Sequence, residues 1–206
     1  MLASRNAGKL RELRALFGTR GVDVIDLVDA GVAEDAAAEE AIEAYPTFEE
    51  NALAKAHFFA ARLPGRVVVA DDSGLVVEAL GGEPGVRSKR WSGRADLSGA
   101  ALDAENNELL LARLAGRPDR AARFVCAAAW TNGHVEIVAR GEVPGRIAWS
   151  PSGTHGFGYD PYFVVAGLGR TLADATIAEK EGISHRGRAF THLLELVESR
   201  AAAALS

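Results

Sequence analysis

Residues 67–82 read VVVADDSGLVVEALGG, an apolar run that meets two consecutive acids. Val67, Val68 and Val69 form a β-branched run that suits a buried strand, and Ala70 leads it directly into two acids, Asp71 and Asp72. Neighbouring side chains of a strand point to opposite faces, so two consecutive acids in a regular strand cannot meet one partner. A buried strand is therefore expected over Arg66–Ala70, with Ser73-Gly74 as a plausible break after the acids. Either the pair diverges across the pleat or it sits on a turn.

The segment upstream reads TFEENALAKAHFFAARL, residues 47–63. Its apolar positions Phe48, Ala52, Ala56, Phe59, Ala60 and Leu63 recur at helical spacing. Thr47 and Glu50 form a capping-box pattern at its start, and Pro64-Gly65 ends it. Nearer the N-terminus, Leu10, Leu13, Leu16 and Phe17 give a second helical stripe directly after SRNAGK. Only Met1, Leu2 and Ala3 precede that turn, which is short for a core strand.

Downstream, Leu102–Leu114 predicts a third helix, stopped by Gly116 and Pro118. ARFVCAAAW and HVEIVARGEV predict two strands joined by Asn132-Gly133, a strong hairpin signal. The Gly- and Pro-punctuated stretch GEVPGRIAWSPSGTHGFGYDPYF predicts mostly loop with short strands. A last helix carries Phe190, Leu193, Leu194 and Val197. Helices and strands mix without strict alternation, which indicates an α/β protein with a mixed sheet rather than a doubly wound one.

Composition narrows the function classes. A chain of 206 residues buries a sizeable core as one domain, or as one domain with two lobes. A formal net charge of −5 argues against a broad nucleic-acid or anionic-membrane footprint. Any phosphate ligand must then be met by locally gathered Lys and Arg. The single cysteine, Cys126, excludes an internal disulfide and sits in the apolar run FVCAAAW as a core thiol. No Cys/His cluster has zinc-ligand spacing. With no signal-like apolar region and no stretch near the ~18 residues of a membrane span, the expected location is the cytoplasm.

Four polar clusters interrupt these elements. In Ser4-Arg5-Asn6-Ala7-Gly8-Lys9, a turn opens onto a helix. Free N–H groups at a helix N-terminus attract anions, and Lys9 adds a full charge in the first turn. The pattern is not a Walker A loop, which needs a further Gly and a Ser or Thr after the Lys. Asp71-Asp72-Ser73-Gly74, with Glu43 and Lys55 upstream, combines hard oxygen ligands with a cation, the set that suits Mg²⁺ on a phosphate. Its acids lack the spacing of an aspartyl-phosphate motif. In Gly156-Phe157-Gly158-Tyr159-Asp160-Pro161, glycines let a backbone approach a flat ligand, and Phe157 can stack on it. Lys180 with Ser184-His185-Arg186 gathers donors before the last helix. Each cluster taken alone also reads as an ordinary turn or a solvated face.

Together, the stretches SRNAGKLRELR, TFEENALAKA, ADDSGLVVEALGGEPGVRS, GFGYDP and EKEGISHRGRA resemble the inosine triphosphate pyrophosphatase family, and they run from Ser4 to Ala189. The resemblance implies a two-lobed ITPase-like α/β fold over residues 1–206, with an elongated mixed sheet flanked by helices and a central cleft. It implies a homodimer, Mg²⁺ dependence, and hydrolysis of ITP, dITP or XTP to the monophosphate and pyrophosphate. By position, Ser4, Arg5, Asn6, Ala7, Gly8 and Lys9 would hold the triphosphate with Lys55, and Ser73 would touch substrate. Asp72 takes the place of the catalytic acid, as base, metal ligand or both, and Glu43 that of a metal-associated acid. Phe157, Gly158, Tyr159, Asp160, Lys180, His185 and Arg186 would bind the nucleotide, mostly around its base. Arg5 stands where the family turn carries Gly, bringing an extra charge toward the phosphates, and Ala44-Tyr45 replaces a Thr-Gly pair. A related pyrimidine-directed pyrophosphatase of the Maf type and a catalytically silent nucleotide-binding module are the competing readings.

Overall fold

A computed structural model of the chain describes residues 1–204. Its helices are α1 (Ala7–Gly18), α2 (Ala36–Ala41), α3 (Phe48–Arg62), α4 (Gly99–Arg113), α5 (Ile177–Ile183) and α6 (His185–Ala204). Its strands are β1 (Val68–Val77), β2 (Ala121–Thr131), β3 (Glu136–Ile147) and β4 (Phe163–Val165). They form one sheet in the order β1-β2-β3-β4. The Asn132-Gly133 turn makes β2 and β3 a hairpin, and β3 pairs antiparallel with β4 from Gly145↔Val165 to Ile147↔Phe163.

The helices start where local chemistry allows. Asn6 caps α1, its side-chain oxygen accepting the Lys9 N–H at 3.0 Å. Thr47 caps α3 by accepting from the Glu50 N–H, and its hydroxyl donates to the Glu50 carboxylate at 2.7 Å. Three further helical segments, α2, α5 and a 3-10 turn over Gly85–Arg90, are too short to show a periodic stripe.

β1 departs from the expected break. It runs unbroken through Asp71, Asp72, Ser73 and Gly74 to Val77 and is buried along nearly its whole length. Its free edge is covered instead of ending. Leu2 makes a parallel bridge to Val69, flanked by hydrogen bonds from the Ala3 N–H to the Val69 carbonyl (2.7 Å) and from the Val69 N–H to the Met1 carbonyl (2.8 Å). Farther along, Val76 bridges antiparallel to Pro84. The short Met1–Ala3 segment thus serves as a single bridge and supplies a parallel pairing. β3 likewise continues through Pro144-Gly145, which the sequence suggested as loop. At Gly145 the Val164 backbone and the Phe163 ring occupy the space a Cβ would need, so glycine is what admits β4.

The chain divides into two compact units. The first comprises Met1–Asp72, Cys126–Gly141 and the chain from His185 on; the second comprises Ser73–Val125 and Glu142–Ser184. Each has its own core. In the first, Leu13, Leu16 and Phe17 of α1 pack with Val69, Cys126, Phe190 and Leu193. In the second, Leu75, Leu110, Leu114, Phe124, Val143, Ile147 and Phe163 pack together. Among the described residues, no helix is long and apolar enough to cross a membrane.

Candidate active site

In the first unit the unbroken pleat of β1 separates the two acids. Asp71 shares its face with Val69, toward α1 and α6. Its Oδ2 lies 2.9 Å from Lys9 Nζ and 3.5 Å from Arg186 Nε, while Arg186 Nη1 also meets Glu12 of α1 at 2.5 Å. The buried Cys126 thiol sits 3.9 Å from the same oxygen. Asp72 turns to α3, where Asn51 Nδ2 donates to its Oδ2 at 3.2 Å and Lys55 Nζ lies 3.4 Å from its Oδ1. Lys55 Nζ also donates to Glu43 Oε1 at 3.0 Å and to the Asp71 carbonyl at 2.6 Å.

Both acids are buried, at 2% and 7% exposure, yet their acidities diverge. Burial pushes the Asp71 carboxyl up, but Lys9, Arg186 and Lys55 outweigh it and hold Asp71 well below the usual carboxylate range. Burial also pushes Asp72 up, and here it prevails. Lys55 and Lys9 oppose it, while Glu43 and Asp71 add repulsion, so Asp72 stays above its ordinary value. Burial pushes the Lys55 ammonium down, but Asp72, Glu43 and Asp71 together hold its pKa above the usual lysine value. One ammonium thus serves an excess of carboxylates, and Asp72 is the acid left under-compensated.

The turn before α1 is built around its backbone. Ser4 Oγ accepts the Asn6 N–H at 3.3 Å, Gly8 is buried, and Ala7 begins the helix. Arg5 is directed elsewhere: its guanidinium donates to Glu39 at 2.7–3.0 Å and to the carbonyls of Val32 and Ala33. Ser73 lies half-buried on β1. His185 and Arg186 are both buried at the start of α6, and Gly141 of β3 packs where a Cβ would collide with the His185 carbonyl.

The second unit holds the Gly156–Asp160 turn in a separate set of contacts. Lys180 Nζ pairs with Asp160 Oδ2 at 2.6 Å, and both groups are almost fully buried. Asp160 Oδ2 also accepts the Phe157 N–H at 3.3 Å. Two α4 side chains grip Gly158 from either end of its peptide units. Asp103 Oδ2 accepts its N–H at 2.8 Å, and Asn107 Nδ2 donates to its carbonyl at 2.9 Å. Tyr159 is buried, with its hydroxyl donating to the Ser88 carbonyl at 2.8 Å. Phe157 stays only half-buried. Gly156 has φ of +93°, and a side chain there would run into Asp160 and Lys180.

Sequence reasoning missed Asn51, Glu12, Asp103 and Asn107. Asn51 carried a readable signal, since it falls with Lys55 on the buried stripe of α3. Two polar residues one turn apart on a buried face need partners. Asn107 is similarly buried on α4. For a divalent cation, Asp72 and Glu43 are the available donors. No group of three His, Cys, Asp or Glu side chains is placed to hold a metal among the described residues. Mg²⁺ commonly takes one or two carboxylates and completes its shell with water and substrate phosphates, so two acids around Lys55 fit it.

Known proteins agree with this architecture. The Staphylococcus aureus Ham1 protein superposes with a TM-score of 0.79 at 37% identity, over 97% of each chain. The Mycobacterium abscessus nucleoside-triphosphatase / dITP/XTP pyrophosphatase superposes with a TM-score of 0.69 at 45% identity, over 94% of this chain and 97% of that one. A dITP/XTP pyrophosphatase of Mycolicibacterium paratuberculosis is 51% identical over 207 aligned positions, covering 98% of this chain and 97% of that protein. One from Frankia alni is 49% identical and covers 96% of each. The Ham1 family profile matches residues 1–196, and with relatives this similar along nearly the whole length, the chain belongs to the Ham1 family.

Proposed function

We propose that this protein hydrolyses non-standard purine nucleoside triphosphates, dITP, XTP and ITP, to the monophosphate and pyrophosphate. The observation that carries the reading is the split between the two acids. Burial pushes Asp72 above its ordinary value and so favours proton uptake beside Asn51 and Lys55, whereas Asp71 stays ionised beside Lys9 and Arg186. The shared family and the activity named for its close relatives support the same reading.

In this mechanism Asp72 takes a proton from the attacking water. The new oxygen–phosphorus bond forms at the α-phosphorus, the bond to the bridging oxygen breaks, and pyrophosphate leaves. The Lys9 ammonium and the Ala7 and Gly8 N–H groups at the start of α1 stabilise charge on the phosphates, and Lys55 aligns Asp72 and Glu43. Mg²⁺, held by Asp72 and Glu43, would supply neutralisation of the triphosphate and polarisation of the phosphorus. Phe157, Gly158, Tyr159, Asp160, Lys180, His185 and Arg186 contact the nucleotide. Hypoxanthine and xanthine offer an acceptor oxygen at C6, which suits donors such as Arg186. Adenine offers an amino donor there and would leave buried donors unpaired. The reading includes a homodimer working in the cytoplasm on the nucleotide pool.

The test is a nucleotide panel with product identification. Pyrophosphate is expected from dITP, XTP and ITP in Mg²⁺, much faster than from ATP. Equal rates with ATP, or orthophosphate as the sole first product, would overturn the reading. Preference for dTTP or UTP would favour the Maf type, and binding without turnover the silent module.

A further inference from the structure

We propose that Asn51 is a positioning residue that ties the segment bearing Glu43 to the carboxylate of Asp72, an inference that rests on the reading of Asp72 as the reactive acid. Asn51 lies in the first turns of α3 and is only 1% exposed. Its amide is used on three sides. Nδ2 donates to Asp72 Oδ2 at 3.2 Å and to the Tyr45 carbonyl at 3.1 Å, and Oδ1 accepts the Tyr45 N–H at 3.0 Å.

The choice of residue follows from this pattern. Closing on both main-chain groups of one residue takes a donor and an acceptor side by side, which an amide has and a carboxylate or an alkyl group lacks. The second amide hydrogen is then free to meet an acid. Tyr45 lies two residues after Glu43, in the connection between α2 and α3 that has no regular structure of its own. That connection therefore relies on side-chain clamps. One turn farther along α3, Lys55 reaches the other oxygen of Asp72 and the side chain of Glu43. Glu43 is thus held twice from the same helix, by its own carboxylate and through the main chain two residues on. Asp72 is held on both oxygens, by Asn51 and by Lys55. Asn51 acts through the Asp72 carboxylate rather than on the substrate itself. It sets where the two acids stand.

The test compares wild type with Asn51→Leu, which keeps the branched skeleton and removes all three bonds, each with and without Asp72→Asn. Asn51→Ala, a stronger helix former, carries the same test should the leucine variant fail to fold. Loss of a hydrogen bond to a charged group predicts a kcat lower by about 10- to 100-fold with dITP, with KM changed less than about threefold. Added to Asp72→Asn, the substitution should cost nothing further, because residues acting as one unit are not additive. Independently of activity, the Tyr45 amide should exchange with deuterium at least about tenfold faster in the variant.

An unchanged kcat in a folded variant, a loss that multiplies with that of Asp72→Asn, or unaltered Tyr45 exchange would each overturn the proposal. A wild-type protein that releases no pyrophosphate from any purine triphosphate would instead sink the proposed function. The Tyr45 exchange would then still decide whether Asn51 anchors that segment.

Discussion

The carboxylates of Asp71 and Asp72, one peptide apart on β1, are held by different lysines: Lys9 of α1 at 2.9 Å and Lys55 of α3 at 3.4 Å. Lys55 nevertheless reaches the Asp71 carbonyl at 2.6 Å, so one ammonium grips the main chain of the first acid and the side chain of the second. That arrangement spaces the acids and loads them unequally. Asp71 faces two cations across its carboxylate, while Asp72 shares its one close cation with Glu43. A pair of acids that could have titrated together is split into a permanent anion and a proton acceptor.

Asp72→Asn is expected to lower kcat by about 10³-fold, within the usual range for general-base removal. Stability should move the other way. The folded pKa of Asp72 is raised, so its favourable contribution is full below the unfolded value and is lost as pH rises through the folded one. At neutral pH the ionised group is a burden, and Asn relieves it. Melting curves should show the variant at least as stable as wild type at pH 7, with its advantage shrinking below about pH 4, the unfolded carboxylate value.

Asp71→Asn should give the opposite pH signature. Its folded pKa is depressed, so its contribution is present above the unfolded value and is lost only as pH falls through the folded one. The substitution removes the anion that faces both Lys9 and the buried Arg186, which also pairs with Glu12. Breaking a buried pair from one side predicts a loss of about 3–5 kcal/mol at neutral pH. Chemical denaturation at pH 7 and in strong acid checks it, the gap narrowing in acid.

Arg5 offers a contrast with Lys9. Its guanidinium is engaged by Glu39 and two carbonyls, whereas Lys9 pairs with the Asp71 carboxylate. The hydrogen bonds from Arg5 hold the Glu39 carboxyl below its ordinary value, so that contribution is present above the unfolded pKa and fades as pH falls through the folded one. Arg5→Ala is expected to cost about 1–2 kcal/mol at neutral pH, in the range for a charge-assisted pair that remains partly solvated. Its KM for dITP should rise far less than that of Lys9→Ala, as initial-rate kinetics on the two variants would show.

How legible this was in the sequence depended on whether a residue's partners lie nearby in the chain. The stripes of α1, α3 and α4 and the Asn132-Gly133 hairpin were readable because their signals are local. The passage of β1 through Ser73-Gly74 was not. Turn-forming residues argued for a break, but Leu2 and Pro84 cover the strand's edge and hold it extended. The same override took β3 through Pro144-Gly145 to meet β4. At the site, Asp71 and Asp72 stood out as acids after an apolar run and Lys9 as a charge in the first turn of a helix, while the family resemblance pointed to Lys55. Asn51 and Asn107 have roles set by groups distant in sequence, the Asp72 carboxylate and the Gly158 carbonyl respectively. Only the fold brings those together.

Gly156 gives a test confined to the second unit. Its φ of +93° disfavours any L side chain, and the space beside it is taken by Asp160 and Lys180, themselves buried and paired at 2.6 Å. A methyl group there has to push the ion pair apart or shift the Phe157–Asp160 turn, and neither partner has open solvent to move into. Gly156→Ala is therefore expected to destabilise the fold by about 1–3 kcal/mol, the cost of a strained backbone position. If this turn contacts the purine, the folded fraction should bind dITP more weakly while retaining its turnover at saturation, because Asp72, Lys55 and Lys9 are untouched. Steady-state kinetics well below the melting temperature separate the two effects: a raised KM with kcat preserved is the expected result. A lowered kcat at unchanged KM would instead assign the turn to the chemistry rather than to the base.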